Sequence, residues 1–371
     1  MRALNRKWAD GQVSRLGFGG MRLPSAGGNI DVEAVKPMVD AFLAAGMNYF
    51  DTAYGYQNGQ SETALREALV KRHPREAFLL ADKLPFWQVK CEADMARIFN
   101  HQLEKCGVDY FDFYLMHALD AENFASSQTY GGYDFIKARR DEGKIKHIGF
   151  SFHGTSKDLK DILDAYPEME FVQLQINYFD WIDGGAKEFY DIVTERGLPV
   201  VVMEPVRGGA LAEMTEEIEA VFKAADPEAS VASWAVRYVA SLPNVMTVLS
   251  GMSNMEQIVD NTKTLTDCKP LTDEERAVVE KALQMLRAIP TIPCTACKYC
   301  EGCPQGIPIA DVFAMYNRYA GDKKINSLRA AYNGIDAAHR VDACIECGAC
   351  EAVCPQNIEI PKRLRAVAGH I

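Results

Sequence analysis

Eight of the eleven cysteines in this chain fall in two short runs, CTACKYCEGCP at Cys294–Pro304 and CIECGACEAVCP at Cys344–Pro355. Their spacings are C-x2-C-x2-C-x2-C-P and C-x2-C-x2-C-x3-C-P. Three thiolates at i, i+3 and i+6 of one compact loop can all face inward and wrap an iron–sulfur cube. Zinc ribbons also use C-x2-C pairs, with two pairs to an ion. Two quartets that each close in Cys-Pro favour iron–sulfur over zinc. The remaining three, Cys91, Cys106 and Cys268, fall on helical or post-helical stretches and read as small buried side chains.

A loop that gives three sulfurs to a cube must find the fourth elsewhere, and in two-cluster ferredoxins it comes from the opposite run. That arrangement assigns Cys294, Cys297, Cys300 and Cys354 to one 4Fe–4S cluster. Cys344, Cys347, Cys350 and Cys303 then hold the other, although the first run is one residue shorter than the bacterial pattern. Between the runs, IADVFAMYNRYA and INSLRAAYNGI have helical period, which predicts an alpha-helical ferredoxin module rather than a compact β-ribbon.

A second set of reactive side chains precedes these. Asp51 and Tyr56 lie in NYFDTAYGYQNGQSE, Lys83 in LLADKLP and His117 in FYLMHAL. Each alone reads as easily as a solvated or hydrogen-bonded surface group. Together they close three successive apolar runs, and a barrel of alternating strands and helices places its chemistry at such strand ends. The elements that must position them are RLGFGGMRL, NYFDTA, AFLLADKL, YFDFYLMH, IKHIGFSFH, FVQLQINYF, LPVVVMEPV and MTVLSGM. A stretch of helical period follows each, as in SETALREALVKRH and AKEFYDIVTERG. Eight such units in roughly 250 residues predict a (β/α)8 TIM barrel rather than a doubly wound sheet. GFGG at Gly17–Gly20 lacks the GxGxxG spacing and reads as glycines for a turn or close approach. NMEQIVDNTKTL and TDEERAVVEKALQMLRAI predict two further helices, and PTIP at Pro290–Pro293 breaks the pattern. The expected domains are a barrel over residues 1–288 and a smaller iron–sulfur domain over 289–371.

The 371 residues carry a net charge of −11, which argues against nucleic acid or an anionic membrane surface as partner. From Ile289 onward there are 9 basic and 8 acidic residues, leaving 31 basic and 43 acidic before it. The opening MRALNRKWADG has no apolar run, and no stretch approaches the ~18 apolar residues of a membrane helix. A cytoplasmic location is the expectation, where clustered cysteines bind metal more often than they pair.

The D-T-A-x-x-Y run, a Lys closing strand three and a His closing strand four resemble the tetrad of the aldo-keto reductases. GKIKHIGFS and QINY are similar to that family's fifth and sixth strand segments. With its tail, the chain resembles members that carry a C-terminal ferredoxin-type domain. The resemblance implies hydride exchange between a nicotinamide nucleotide and a carbonyl/alcohol pair. Tyr56 would be the general acid/base, with Lys83 lowering its pKa, Asp51 holding Lys83 charged, and His117 positioning the carbonyl. It also implies that Ser151 and Gln175 bond the nicotinamide amide, that Met203 packs on its ring, and that Asp260 and Asn261 meet adenine. Phe152 stands where the family often has Asn. Gly251 and Gln257 stand where many members have the Lys and Arg that bind the 2′-phosphate of NADPH, so a preference for NADH, or a loose choice between the two nucleotides, is expected. Phe86 and Trp87 are candidates for the substrate wall. Gly208 and Gly209 read equally as a plain loop or as an approach to pyrophosphate.

The leading expectation is therefore an oxidoreductase acting on a small carbonyl or alcohol, with two 4Fe–4S clusters that exchange electrons with a partner protein. The alternatives are an electron-transfer protein whose barrel binds nucleotide, flavin or a partner, and a reductase whose clusters are structural or redox-sensing. Hydride moves two electrons and each cube one, so a relay between them calls for a flavin or similar converter. No separate flavin domain is visible, and a flavin in the barrel stays open.

Overall fold

The computed structural model describes residues 13–182, 184–266 and 268–370. The opening segment, read above for a leader, lies outside the described residues. The chain divides into two compact units. One takes the chain through Pro205 together with Ala235–Leu271, and the other takes Val206–Trp234 and everything from Thr272. Among the described residues no helix is long and apolar enough to cross a membrane.

The first unit holds eight parallel strands: β1 (Leu16–Gly19), β2 (Tyr49–Asp51), β3 (Leu79–Pro85), β4 (Phe111–Leu119), β5 (Ile145–Phe152), β6 (Phe171–Gln175), β7 (Val200–Met203) and β8 (Val245–Ser250). They close in sequence order, with β1 pairing both β2 and β8, so the barrel expected from the apolar runs is present. Closure buries both faces of a strand, which is why β4 is buried along all nine residues and reads as a continuous apolar run. Tyr49, Phe113, Phe171, Leu115, Val201 and Leu249 belong to one cluster of the buried core. Phe113 sits 5.1 Å from Tyr49 and 5.3 Å edge-on from Phe171, centroid to centroid.

The GFGG glycines let backbone and neighbours come together, as expected. A Cβ on Gly17 would lie 2.5 Å from Leu249 Cδ2, and one on Gly20 would lie 2.7 Å from Ser61 Oγ and 2.8 Å from the Asp51 carbonyl. Outside the barrel run α1 (Val32–Ala44), α2 (Ser61–Leu65, continued as a π-turn through Val70), α3 (Glu92–Cys106), α4 (Ala121–Thr129), α5 (Gly132–Asp141), α6 (Ser156–Ala165) and α7 (Ala186–Glu195). Their starts follow local chemistry: Asp31, Asp120 and Thr155 each accept a backbone N–H at the helix N-terminus. Cys91 occupies the same cap position on α3 and is exposed, contrary to the buried reading. A cap side chain turns back along the helix end rather than into the core. Cys106 is buried as expected, and Cys268 is half-buried.

The helices before the cysteine runs continue with α8 (Glu216–Ala225) and α9 (Val231–Ala240). They are followed by α10 (Met255–Thr266) and α11 (Asp273–Arg287), the two post-barrel helices read from sequence. In the second unit α8 packs beside α11. The spacer between the cysteine runs is helical, as α12 (Ile309–Asp322) and α13 (Ile325–Asn333), with α14 (Ala349–Ala352) and α15 (Ile360–Ala368) after them. Val312, Phe313, Ile360, Leu364 and Val367 form this unit's own core, against which the cluster cysteines pack. Asn317 on α12 clamps the approach to the first run, accepting from the Ile292 N–H at 2.7 Å and donating to its carbonyl at 2.8 Å.

Candidate active site and cluster ligands

Asp51 ends β2, and Thr52 extends that ladder by one bond to the Ala81 carbonyl at 3.0 Å. The chain then turns through Ala53–Gly55 to Tyr56, and Gln57 and Asn58 after it take left-handed φ values of 48° and 56°. That costly backbone is held from outside: Gln57 both accepts from the Leu23 N–H at 3.1 Å and donates to its carbonyl at 2.9 Å. Ser61 Oγ donates to the Gly20 carbonyl at 2.8 Å. Lys83 lies on β3 opposite Leu115 of β4, and His117 lies opposite Pro85. Immediately after His117 the β4–β5 register shifts, with Ala118 at φ 51°. A bulge of this kind bends the strand and re-aims the neighbouring side chain.

These local devices bring the four residues together. Lys83 Nζ donates to Asp51 Oδ1 at 2.5 Å, to the Thr52 carbonyl at 2.7 Å and to the Tyr56 hydroxyl at 3.2 Å. Its ammonium also sits 4.7 Å from the Tyr56 ring centroid. The His117 ring meets Tyr56 edge-on at 5.8 Å, and the Trp87 ring lies 4.9 Å from His117, centroid to centroid. Lys83 is fully buried and Tyr56 is 7% exposed.

Burial governs the electrostatics. It pushes the Asp51 carboxyl up, and the Lys83 ammonium pulls it back. It also pushes the Tyr56 phenol well above its ordinary value, with the Asp51, Glu204 and Asp82 charges adding to the rise and Arg22 opposing it. In the free protein desolvation prevails, so the net shift of this phenol is upward rather than the downward one expected from Lys83. His117 moves down, first through burial and then through Lys83 and His153, so its imidazole is neutral at pH 7.

The sign of that last shift gives a test. A buried imidazole held below its unfolded value, about 6.5, makes the folded protein bind fewer protons than the unfolded chain. The stability it contributes is complete above that pH and is lost as pH falls toward the folded value. His117→Gln should flatten the fall in thermal unfolding temperature between about pH 7.5 and 5. The slope should not vanish, because desolvation also lowers the half-buried His153, to about 4. An unchanged slope would assign the effect to other groups.

The nucleotide candidates sit on the same barrel. Ser151 Oγ accepts from the Ala118 N–H at 2.7 Å, tying β5 to the bulge beside His117. Gln175 and Met203 face each other in the β6–β7 register. Gln175 donates to Asp180 Oδ2 at 3.1 Å, and the Met203 sulfur accepts from Gln173 at 3.4 Å. Gly251 follows β8, and the volume a side chain would take there is filled by Arg22, whose Cδ lies 3.1 Å from the ideal Cβ position. Gln257 accepts from the Ser253 N–H at 2.7 Å. Asn261 is buried and donates to Ser250 Oγ at 3.0 Å, binding α10 to β8, while its neighbour Asp260 is half-buried. Sequence reasoning missed the 2.6 Å ion pair of Arg22 with Glu204, a residue at φ 56°. The only signal was a charge two residues after GFGG.

The eight cluster cysteines gather in two recesses of the second unit. Cys294, Cys297, Cys300 and Cys354 line one of ≈ 330 Å³ with Ile309, Phe313, Ile358 and Ile360. Cys303, Cys344, Cys347 and Cys350 line another of ≈ 340 Å³ with Ile307, Ile345 and Leu364. As a free thiol Cys300 is pushed up to about 12, by burial first and then by the crowding of Cys297, Cys294 and Cys354. Four thiols packed so closely against apolar walls ionise only with a compensating cation, which a bound cluster supplies, so the donor set fits the group. Gly208, by contrast, serves packing: its φ is 66° and a Cβ there would lie 2.0 Å from the Thr295 carbonyl oxygen.

The pattern of the Aldo/keto reductase family matches residues 15–284. The chain belongs to that family. It is an NAD(P)-dependent aldo-keto reductase, and a 4Fe-4S dicluster domain pattern matches residues 293–359 of its C-terminal part. An uncharacterised oxidoreductase of Schizosaccharomyces pombe is 27% identical to the reductase over 69% of this chain and 83% of the yeast protein. The NADH-specific methylglyoxal reductase of Escherichia coli is 26% identical, covering 54% of this chain and 65% of the bacterial enzyme. Among solved structures, the holo form of an aldo-keto reductase from Bacillus halodurans superposes with a TM-score of 0.60 at 25% identity, covering 73% of the reductase and 92% of that chain. An aldo/keto reductase from Klebsiella pneumoniae, solved with NADP and acetate, shares the fold with a TM-score of 0.60 at 19% identity over 76% and 95% of the two chains.

Proposed function

We propose that the reductase interconverts a small carbonyl and its alcohol, with Tyr56 as general acid/base, and that its clusters exchange electrons with a partner protein. Residues 1–288 would carry the hydride chemistry and 289–371 the clusters. The observation that carries this reading is the Lys83 ammonium within hydrogen-bonding distance of both Asp51 and Tyr56 in a buried setting. When bound, the reduced nicotinamide supplies a hydride to the carbonyl carbon. Tyr56 donates its proton to the carbonyl oxygen, and Lys83 holds the phenol oxygen in place and stabilises the phenolate that results. Asp51 keeps Lys83 charged and oriented. His117, neutral, offers a ring N–H to the same oxygen and fixes the carbonyl without a competing charge.

Ser151, Gln175, Met203, Gly251, Gln257, Asp260 and Asn261 are proposed to hold the nucleotide. The finer reading is a preference for NADH, supported by the missing cations at Gly251 and Gln257 and by the NADH specificity named for the E. coli relative. Anaerobic oxidation of NADH and NADPH against a carbonyl panel tests both statements. We expect kcat/KM at least about tenfold higher with NADH, as follows from losing charge-assisted phosphate contacts. A preference of about a hundredfold for NADPH would overturn it.

Electron exchange at the clusters is supported by Cys347, the exposed ligand of its recess, beside Ile345 at 61% exposure. Because hydride and single electrons do not interconvert without a two-to-one carrier, NADH alone should leave the clusters oxidised, and added flavin should allow their reduction. Bleaching of the cluster absorbance by NADH without flavin would place that converter within the reductase itself.

A further inference from the structure

Behind Lys83, on the side away from Tyr56, lies a second buried polar group that the proposed chemistry does not use. Asp82 of β3 and Glu62 of α2 are both fully buried, as are Gln102 and Cys106 of α3 and Tyr114 of β4. Asp82 Oδ1 accepts from the Lys83 N–H at 2.8 Å and from Gln102 Nε2 at 2.8 Å. The same Gln102 nitrogen donates to the Lys83 carbonyl at 2.9 Å, and Gln102 Oε1 accepts from Tyr114 at 2.5 Å. Both main-chain groups of Lys83 are thereby gripped by one amide–carboxyl pair.

The charges in this group do not balance with both acids ionised. One ammonium, Lys105, pairs with Glu62 Oε2. Oxygens of Glu62 and Asp82 and the Cys106 sulfur all lie within 4.8 Å of one another. Glu62 Oε1 is buried and meets no donor. Two adjacent carboxylates out of water with one counter-charge repel strongly, and a buried acceptor without a donor is costly. One proton placed between the acids removes both penalties.

We infer that Glu62 and Asp82 share a single proton and that the pair is a positioning unit for Lys83, gripping its main chain without setting a second full negative charge beside it. The inference rests on the proposed role of Lys83 in reduction. The charge condition matters because an Asp82 carboxylate is one of the groups that raise the Tyr56 phenol and so weaken it as an acid. The groups facing the pair are His101, Lys105 and Cys106 from α3, Lys83 from its own strand and Tyr114 from β4. Burial lifts both acids; Glu62 lifts Asp82 further, while the contact with Asp82 lowers Glu62, in keeping with one proton retained on the Asp82 side of the pair near neutral pH.

Infrared difference spectra of the cluster-loaded full chain test the shared proton. At pH 7 the wild type should show a protonated-carboxyl C=O stretch that shifts in D2O and is lost in both Asp82→Asn and Glu62→Gln. Its absence from the wild type, or its survival in either variant, would overturn the inference. If Glu62→Gln fails to fold, Asp82→Asn decides alone. The positioning role has its own readout. Asp82→Ala should lower kcat about tenfold with nucleotide affinity unchanged, and Asp82→Asn, which mimics the neutral acid, should recover most of it. Equal losses in the two variants would remove that role. A wild type with no carbonyl reduction would defeat the proposed function while leaving the infrared result to stand on its own.

Discussion

Tyr56→Phe should lower kcat for carbonyl reduction by about three orders of magnitude, within the range general acid catalysis supplies, and leave the nucleotide Kd unchanged. The substitution removes one oxygen from a ring that is already buried and packed edge-on to His117, so the packing around it is kept. What is lost is the hydroxyl that Lys83 addresses alongside the Asp51 carboxylate and the Thr52 carbonyl. The phenol's raised value has a further consequence. It keeps its proton through the neutral and mildly alkaline range, so loss of the donor should not make reduction fall between about pH 6 and 9. Stopped-flow nucleotide oxidation measures the rate, and nucleotide fluorescence the affinity. Near-normal turnover in Tyr56→Phe would mean that the proton comes from another group, and the assignment of Lys83 and Asp51 would fall with it.

Pairs of cysteine substitutions should give an all-or-half pattern of iron loss. If Cys354 belongs with the first run, Cys297→Ser combined with Cys354→Ser removes one cluster, taking iron from about eight atoms per chain to about four. Cys347→Ser combined with Cys354→Ser should remove nearly all of it. The recesses make this specific, since Cys354 shares one with Cys294, Cys297 and Cys300 while Cys303 shares the other. Iron and sulfide analysis of anaerobically purified protein reads the result. The reverse pattern would assign Cys354 to its own run.

Much of this was legible in the sequence because each signal was local. A barrel strand buried on both faces must be apolar throughout, as β4 is, and the reactive residues interrupt such runs at their ends. Cysteine spacing is likewise a local constraint, set by the size of one cube. The direction of the Tyr56 shift was not legible, because it depends on how much water the folded barrel removes and on which acids the fold brings near the phenol. Gly251 illustrates a subtler limit. Read along the chain it is a missing cation, and in the fold it is the space that the Arg22 side chain fills. The Glu62–Asp82 contact joins a helix and a strand, and neither residue stands out in its own segment. Cys91 was misjudged for the opposite reason, since helical period was read into a position that only caps the helix.

Gly208 has a consequence for anyone who would divide this enzyme. Its lack of a side chain is demanded by a carbonyl 87 positions further along, at Thr295, and the stretch Val206–Trp234 clusters with the cysteine-rich tail rather than with the strands on either side of it. A shortened gene ending near residue 288 would therefore orphan a piece of its own middle. A truncated chain of that length is expected to lose the order of Val206–Trp234 along with the clusters.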